Sequence, residues 1–357
     1  MKEFKKAALL IEGVKDIFQA KMAVSLLRYR LDAVHCLIDS TKPGSNAEQI
    51  FQIGGDISVK DSIASCLKDI DTLILCMVLP EGRVPETWIK QITMALGNGI
   101  NVINGLHVDF GTVDEIAKKL GGVSASSTER ETMFNKSTAS IFNVRIPPDD
   151  IDLFKYEVLK TKGKRILTVG SDCNIGKMVT SLEMTKAAKA RGINAGFIAT
   201  GQIGILIKGT GIAVDRVISD FLPGAVERLI KEEGDRELYF IEGQGSIIQP
   251  MYSGVSLGLL HGASPDAMII CHVPSREKIR YSNIKFPDLG FIIRMHEEMA
   301  QIVVPSSRVA GVALNCFDMD MEKARATVAA YEDKLGLPVT DVIKFGAEKL
   351  IDSILQQ

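Results

Sequence analysis

Apolar residues in the first half of the chain form short continuous runs, separated by segments with helical spacing. Such runs predict buried strands, and apolar residues three or four apart predict amphipathic helices. The predicted strands are Ala7–Ile11, Ala33–Asp39, Thr72–Val78 and Asn101–Asn104. The predicted helices are Phe18–Arg30, Val59–Leu67 and Pro85–Asn98, and Thr41–Gly55 is predicted to be a loop. Buried strands alternating with helices indicate a parallel sheet covered on both faces, as in a Rossmann-like domain.

The second half repeats this alternation. Further strands are predicted at Arg165–Val169, Asn194–Ala199, Leu238–Glu242, Ala267–His272 and Val309–Asn315. Helices are predicted at Lys177–Arg191, Asp215–Glu233, Met319–Leu335 and Ala347–Leu355. The periodicity weakens between Ser127 and Lys164, so we place a domain boundary there. The pattern predicts a two-domain α/β protein, with a Rossmann-like parallel sheet in residues 1–150 and a P-loop NTPase-like parallel sheet in residues 151–357.

Composition and charge narrow the class of protein. Of the 357 residues, 46% are hydrophobic and 24% charged, and the formal net charge is −2, which is ordinary for a globular protein. The chain has no basic tail of the kind that marks nucleic-acid binders, and its apolar runs are too short to span a membrane. The six cysteines include no C-x-x-C pair. We therefore expect a cytoplasmic protein that binds neither nucleic acid nor membrane and that can form a homo-oligomer.

The turn after strand Arg165–Val169 has the pattern of a phosphate-binding loop. Backbone N–H groups and a lysine at the start of a helix hold phosphates in such loops, although the spacing here is one residue longer than the commonest pattern. A tight glycine turn with a solvated lysine is the alternative, which the strand–turn–helix context disfavours. The predicted phosphate-binding residues are Gly170, Ser171, Asp172, Cys173, Asn174, Ile175, Gly176, Lys177 and Met178.

Met178 occupies the position at which P-loop ATPases have the Ser or Thr that binds Mg²⁺. A thioether is a poor ligand for that hard cation, and Thr180 would point to nearly the opposite side of the helix. This pattern favours a loop that holds phosphates without cleaving them, as it would hold the pyrophosphate of coenzyme A. If the reaction depends on Mg²⁺, Glu242 and Asp172 are the predicted metal ligands.

Polar, glycine-rich stretches follow several second-half strands, where open α/β sheets place their sites. The candidate catalytic residues are Glu242, His261 and His272. Each histidine is as well explained by a structural role as by a catalytic one. Arg276 is predicted to hold a substrate carboxylate. The other predicted substrate-binding residues are Gln244, Ser246 and Tyr252.

The first predicted domain lacks the glycine fingerprint of a dinucleotide site. Its first turn has one glycine, Gly13, which cannot supply both the tight turn and the close pyrophosphate approach. Asp39, at the end of the second strand, does stand where a ribose-binding acid would. We predict that this domain does not bind NAD(P) tightly.

Several motifs resemble known families. The loop Gly170–Lys177 and the sequence Glu242–Gly245 resemble those of dethiobiotin synthetase and cobyric acid synthase-type enzymes. Together with Asn104–His107, Ala199–Gln202 and other segments, they resemble the domain-of-unknown-function 1611 family over nearly the whole chain. The other matching segments are Leu26–Tyr29, Asp39–Ser40, Arg145 with Pro147, Asp220–Phe221, Tyr252–Gly254, Leu260–Gly262 and Phe345–Gly346. The resemblance implies a Rossmann-like domain joined to a P-loop domain, and acetyl-CoA-dependent N-acetylation of D-glutamate.

Three functional hypotheses follow. The first is an N-acetyltransferase for an acidic amino acid, in which Lys177 binds the diphosphate of acetyl-CoA, Glu242 or His261 accepts the amine proton and Arg276 holds the substrate carboxylate. The second is an ATP- and Mg²⁺-dependent carboxylate ligase resembling dethiobiotin synthetase. The third is a non-catalytic nucleotide-binding regulator, which would bind without turnover.

Overall fold

The computed structural model describes residues 3–14, 19–77, 84–107 and 138–356, and the backbone of 131–133. The chain divides into two compact units. The first comprises Met1–Pro148 together with Ile205–Ala213, and the second comprises Asp149–Gly204 together with Val214–Gln357. In the described ranges, no helix is both long enough and apolar enough to cross a membrane.

The first unit is built on a seven-stranded sheet. Its strands are β1 Ala7–Leu10, β2 Val34–Ile38, β3 Val59–Lys60, β4 Thr72–Leu75, β5 Asn101–Asn104, β6 Glu131–Met133 and β7 Ser140–Asn143. Their order is β3-β2-β1-β4-β5-β7-β6, and all pairs are parallel except β6 with β7. The described helices of this unit are α1 Lys21–Tyr29, α2 Ala47–Phe51 and α3 Glu86–Gly97. The Rossmann-like parallel arrangement is confirmed, with one antiparallel edge strand that the sequence did not predict.

Two local predictions in this unit are wrong. The segment Thr41–Gly55 was predicted to be a loop but contains helix α2, which starts with a capping box at Asn46. The predicted helix Val59–Leu67 instead begins with the edge strand β3, in which Val59 pairs with Leu37 of β2. Pairing with a neighbouring strand overrides the helical spacing of so short a segment.

The carboxylate of Asp39 is occupied by contacts within the first unit. Its Oδ1 accepts bonds from Gly13 N at 3.2 Å, Thr41 N at 2.9 Å and Thr41 Oγ1 at 2.6 Å, and its Oδ2 lies 3.1 Å from Lys42 Nζ. Asp39 therefore ties the turn after β1 to the end of β2. This arrangement leaves little acceptor capacity for a ribose hydroxyl, and we keep the prediction that this unit does not bind NAD(P) tightly.

The second unit has a six-stranded sheet in the order β13-β12-β11-β8-β10-β9, and every pair is parallel. The strands are β8 Lys164–Gly170, β9 Ala195–Ile198, β10 Leu238–Ile241, β11 Ala267–His272, β12 Arg308–Leu314 and β13 Val339–Thr340. Helix α5, Gln202–Lys208, begins in this unit and ends in the segment that belongs to the first. The other helices of the second unit are α4 Lys177–Ala190, α6 Leu222–Glu232, α7 Ser253–Ala263, α8 Leu289–Gln301, α9 Met321–Leu335 and α10 Glu348–Leu355. The predicted P-loop NTPase-like sheet is confirmed.

Strand β8 lies at the centre of this sheet, between β10 and β11. Leu167 of β8 is level with Ile241 of β10, and Gly170 is level with Cys271 of β11. Because parallel strands end at the same edge of a sheet, the loops that follow these three strands meet there. The fold thus brings the P-loop, Glu242 and His272 to one edge.

Helices α6 and α7 pack closely where Gly262 faces Pro223. A Cβ atom on Gly262 would lie 2.5 Å from the Pro223 carbonyl oxygen, whereas one on Gly254, also in α7, would meet nothing within 4 Å. The glycine of the Leu260–Gly262 motif is therefore required by packing.

We expect Gly262→Ala to lower the free energy of unfolding by roughly 1–3 kcal/mol, because the added methyl group collides with backbone atoms that cannot turn aside. Gly254→Ala is the matched control and should change stability by no more than about 1 kcal/mol. Thermal unfolding of both variants measures the difference. Equal melting temperatures would show that helices α6 and α7 can shift to accommodate the added methyl group without loss of stability.

Candidate functional site

The loop between β8 and α4 has the conformation expected of a phosphate cradle. A Cβ on Gly170 would lie 2.4 Å from Ile175 Cδ1, so the loop folds tightly over its first residue. Asn174 and Gly176 adopt positive φ values of 51° and 108°. Helix α4 then begins at Lys177 with no side-chain cap on its N-terminal N–H groups. Uncapped N–H groups at a helix start form a ready anion site.

A fully buried carboxylate, that of Asp172, braces this loop. Its Oδ1 accepts a bond from Cys173 N at 2.8 Å, and its Oδ2 accepts bonds from Arg276 Nη1 at 3.0 Å and Arg280 N at 2.8 Å. Arg276 Nη1 also donates to the Cys173 carbonyl at 2.9 Å. These contacts favour a structural role for Asp172 and Arg276 over the predicted metal ligand and substrate clamp.

Lys177 is buried, with 6% of its surface exposed. Its Nζ donates to the Asp172 carbonyl at 2.7 Å, and burial lowers the pKa of the amine to about 8. The alternative of a solvated lysine in a simple glycine turn is therefore wrong. A desolvated ammonium inside a phosphate cradle interacts more strongly with an anion than one in water does.

Glu242 follows β10 and is also buried. Its Oε2 accepts bonds from Thr200 N at 3.0 Å and Gly201 N at 3.1 Å, and Gln244 also bonds to this carboxyl group. Burial raises the pKa of Glu242 to about 7 against the opposing effect of these bonds. A carboxyl group with such a pKa can both accept and return a proton at neutral pH. A Cβ on Gly204 would lie 2.2 Å from Oε2, so the glycine leaves room for this group.

The two predicted catalytic histidines occupy different surroundings. His272, at the end of β11, is buried, and its Nδ1 lies 2.8 Å from Ser171 Oγ of the P-loop. Burial, and then the charge of Arg276, lower the pKa of His272 to about 4. It is therefore neutral at physiological pH and positions the loop serine. His261 lies on α7, and its Nε2 is buried with no hydrogen-bond partner in the described part of the chain.

A small pocket opens behind the end of β8, and the predicted substrate residues Gln244 and Ser246 line it. His296 of α8 lines it as well and was missed from the sequence. Its Nδ1 lies 2.8 Å from the Ile292 carbonyl, which only accepts, so Nδ1 carries the proton and Nε2 is left as an acceptor. Burial lowers the pKa of His296 to about 4. The signal available in the sequence was the helical spacing of Ile292, His296 and Ala300.

The fourth predicted substrate residue, Tyr252, lies beside the same loop. A Cβ on Gly245 would be 2.6 Å from Tyr252 Cβ, and burial raises the pKa of the Tyr252 phenol. Gln244 Nε2 donates to Thr200 Oγ1 at 3.1 Å, which links the loop after β10 to the loop after β9. The polar residues predicted after separate strands therefore converge on one edge of the sheet.

The start of α4 offers no hydroxyl for Mg²⁺. Met178 is half-buried in the first turn, and Thr180 is turned towards β11, where its Oγ1 lies 3.5 Å from Cys271 Sγ. Among the described residues, no three His, Cys, Asp or Glu side chains are grouped as a metal site.

A strand–glycine loop–helix unit with a buried lysine, in a chain that also has a Rossmann-like unit, defines a two-domain P-loop protein. Residues 152–351 match the Domain of unknown function (DUF1611_C) P-loop domain. Residues 40–121 match the Domain of unknown function (DUF1611_N) Rossmann-like domain. The chain belongs to the domain-of-unknown-function 1611 family.

Similarity in sequence and structure to individual family members extends over nearly the whole chain. A D-glutamate N-acetyltransferase of Tritonibacter scottomollicae is 32% identical over 347 residues, covering 97% of both chains. One from a Pseudoalteromonas species is 34% identical over 284 residues, covering 79% of this chain and 81% of the relative. The crystal structure of a family member from Anabaena variabilis superposes with a TM-score of 0.87 at 30% identity, covering 99% of both chains. The family and fold predicted from the sequence are confirmed.

We expect Lys177→Ala to weaken the binding of coenzyme A at least tenfold, because the variant loses the cation inside the cradle. Lys186→Ala, an exposed lysine of the same helix, is the matched control and should leave affinity unchanged. Calorimetric titration measures both, and thermal unfolding checks that each variant is folded. Unchanged affinity of Lys177→Ala for every adenine-phosphate ligand would exclude phosphate binding by this loop.

Proposed function

We propose that this protein is an acetyl-CoA-dependent N-acetyltransferase that acts on an acidic amino acid such as D-glutamate. The observation that carries the proposal is the pairing of a phosphate cradle, built around Lys177, with a buried Glu242 whose pKa is about 7. The names of the two relatives, both D-glutamate N-acetyltransferases, support the same reaction.

The cradle would hold the diphosphate of acetyl-CoA. The uncapped N–H groups at the start of α4 and the Lys177 ammonium supply the donors, and no step of acyl transfer requires a γ-phosphate to be cleaved. Met178, in place of the Ser or Thr that binds Mg²⁺, is consistent with a loop that only holds its ligand. This residue is the reason to prefer acyl transfer to an ATP-dependent ligase.

Glu242 would serve as the general base. The ammonium group of the amino acid must lose one proton before its nitrogen attacks the thioester carbonyl carbon, and the nitrogen loses a second proton as the amide forms. A C–N bond then forms and the C–S bond breaks, so that coenzyme A leaves as a thiolate and takes up a proton. A carboxyl group with a pKa of about 7 is suited to accept a proton from the nitrogen and to pass it to the thiolate, while the other proton is released to water. His261 remains the alternative base.

The pocket that Gln244, Ser246 and His296 line has a volume of about 10 Å³, which is room for roughly one water molecule, so the amino acid would lie outside it, beside Glu242 at the edge of the sheet. The guanidinium of Arg276 is already engaged by Asp172, so we assign it to the loop in preference to the substrate carboxylate.

The test is to supply purified protein with acetyl-CoA and D-glutamate, and separately with Mg·ATP. We expect free thiol to be released with D-glutamate, and ATP turnover to be negligible. L-Glutamate and D-lysine are the controls for chirality and for the acidic side chain. ATP hydrolysis at about 1 per second or faster, with no response to CoA esters, would favour the ligase. Binding of acetyl-CoA without turnover of any amino acid would favour the regulator.

We expect Glu242→Gln to lower the acetylation rate by at least about a hundredfold while leaving the affinity for acetyl-CoA unchanged. The glutamine oxygen can still accept the Thr200 and Gly201 bonds but cannot take up a proton. The wild-type rate should rise with pH through about 7 as Glu242 ionises. Glu298→Gln, at an exposed position of α8, is the control. A variant that keeps the wild-type rate would remove Glu242 from the mechanism.

The same variant has a stability readout. Because folding raises the pKa of Glu242 from 4.5 to about 7, ionisation destabilises the folded protein as pH rises between these two values. The glutamine side chain lacks this effect. Glu242→Gln should therefore gain thermal stability relative to the wild type at pH 8 but not at pH 4.5.

A further inference from the structure

A short hairpin, residues 277–286, follows the P-loop brace Arg276. Phe286 N donates to the Glu277 carbonyl at 3.0 Å, and Ile279 N donates to the Ile284 carbonyl at 2.9 Å. Ile279 is buried, whereas most of the hairpin is exposed. The hairpin is therefore an anchored element with a free outer surface.

Two hydrogen bonds hold the tip of this hairpin beside the phosphate cradle. Arg280 N donates to Asp172 Oδ2 at 2.8 Å, and Gln249 Nε2 donates to the Arg280 carbonyl at 2.8 Å. Both partners belong to the candidate site, since Asp172 braces the P-loop and Gln249 belongs to the loop after β10. The tip of the hairpin is consequently fixed at the rim of the cradle.

Tyr281, at this tip, is exposed and conformationally strained. Its φ is +63°, a left-handed value that is uncommon for an aromatic residue, and 67% of its surface is exposed. The guanidinium of Arg280 lies 5.0 Å from the centre of its ring. Strain of this kind persists only where the surrounding structure enforces it, and it is concentrated at ligand sites.

Lys278 and Lys285 form the second unusual feature of the hairpin. They are directly opposite each other in an antiparallel bridge, and both are exposed. Like charges opposite each other destabilise a strand pair. Neither lysine forms an ion pair within the described part of the chain, although the protein as a whole has a net charge of −2. An anion placed between the two ammonium groups would relieve their repulsion.

We propose that this hairpin is a second anion site, which binds the ribose 3′-phosphate of coenzyme A while Tyr281 stacks on the adenine. The inference rests on the proposed function. A single ribose separates the diphosphate of coenzyme A from its 3′-phosphate. Lys278 lies two residues from Arg280, roughly 7 Å along an extended strand. The hairpin therefore supplies what the cradle alone lacks, which is a contact that distinguishes coenzyme A from ADP and ATP.

The experiment compares coenzyme A with 3′-dephospho-coenzyme A by calorimetric titration of the full-length protein. We expect the wild type to bind coenzyme A about tenfold more tightly or better. The double variant Lys278→Gln/Lys285→Gln should lose most of this preference while its affinity for the dephosphorylated ligand changes less than about twofold. Both lysines are exposed, so thermal unfolding should show an unchanged fold.

Tyr281 is tested with the same ligands. Tyr281→Ala should lower the affinities for coenzyme A and for 3′-dephospho-coenzyme A by a similar factor, because stacking depends on the ring and is insensitive to the 3′-phosphate. Tyr281→Phe keeps the ring and should keep both affinities at the wild-type level. Unchanged affinity of Tyr281→Ala would overturn the stacking assignment.

The remaining outcomes separate this inference from the proposed function. Equal affinity of the wild type for both ligands, together with measurable acetyl transfer, would overturn the hairpin site alone. The hairpin site would also be wrong if the double lysine variant still preferred coenzyme A to 3′-dephospho-coenzyme A. If the folded wild type binds neither ligand, both the hairpin site and the proposed acetyltransferase are wrong.

Discussion

The buried carboxylate of Asp172 is the contact on which the candidate site depends. A charged group without exposed surface is tolerated only when its oxygens are paired, and Asp172 is paired with Cys173 N, Arg276 and Arg280 N. These donors come from the P-loop itself and from the segment after β11. One side chain thereby fixes the loop relative to its neighbouring strand and orients the carbonyl that receives the Lys177 ammonium.

Burial then shifts the pKa values of two oppositely charged groups towards neutrality. It lowers that of Lys177 to about 8 and raises that of Glu242 to about 7. Each group is less strongly ionised than it would be in water, so each responds readily to a neighbouring charge. An anionic ligand would favour the protonated lysine, and an ammonium substrate would favour the ionised glutamate. The binding of a charged ligand and the protonation of these two groups are therefore linked.

The sequence predicted the second unit well because its signals are local. The strand–glycine–helix context predicted the P-loop. Continuous apolar runs predicted the strands β8, β10 and β11, with small differences at the strand ends. The predictions failed where distant contacts decide the outcome. Val59–Lys60 became a strand because β2 lies beside it, and Arg276 was bound by a carboxylate 104 residues earlier in the chain. His296 was missed because its helix was not predicted and its place in the pocket depends on packing.

The assignment of Ile205–Ala213 to the first unit has a consequence for how the chain is made. This segment lies well inside the P-loop match, yet Arg30 of the first unit donates through Nη1 to the Ile207 carbonyl at 3.2 Å. During synthesis the ribosome releases Met1–Pro148 first, then β8, α4 and β9, and only afterwards this last piece of the first unit. The amino-terminal unit therefore cannot complete its native contacts while it is the only part of the chain outside the ribosome. A fragment that ends at Pro148 would lack the contacts with Ile205–Ala213 permanently.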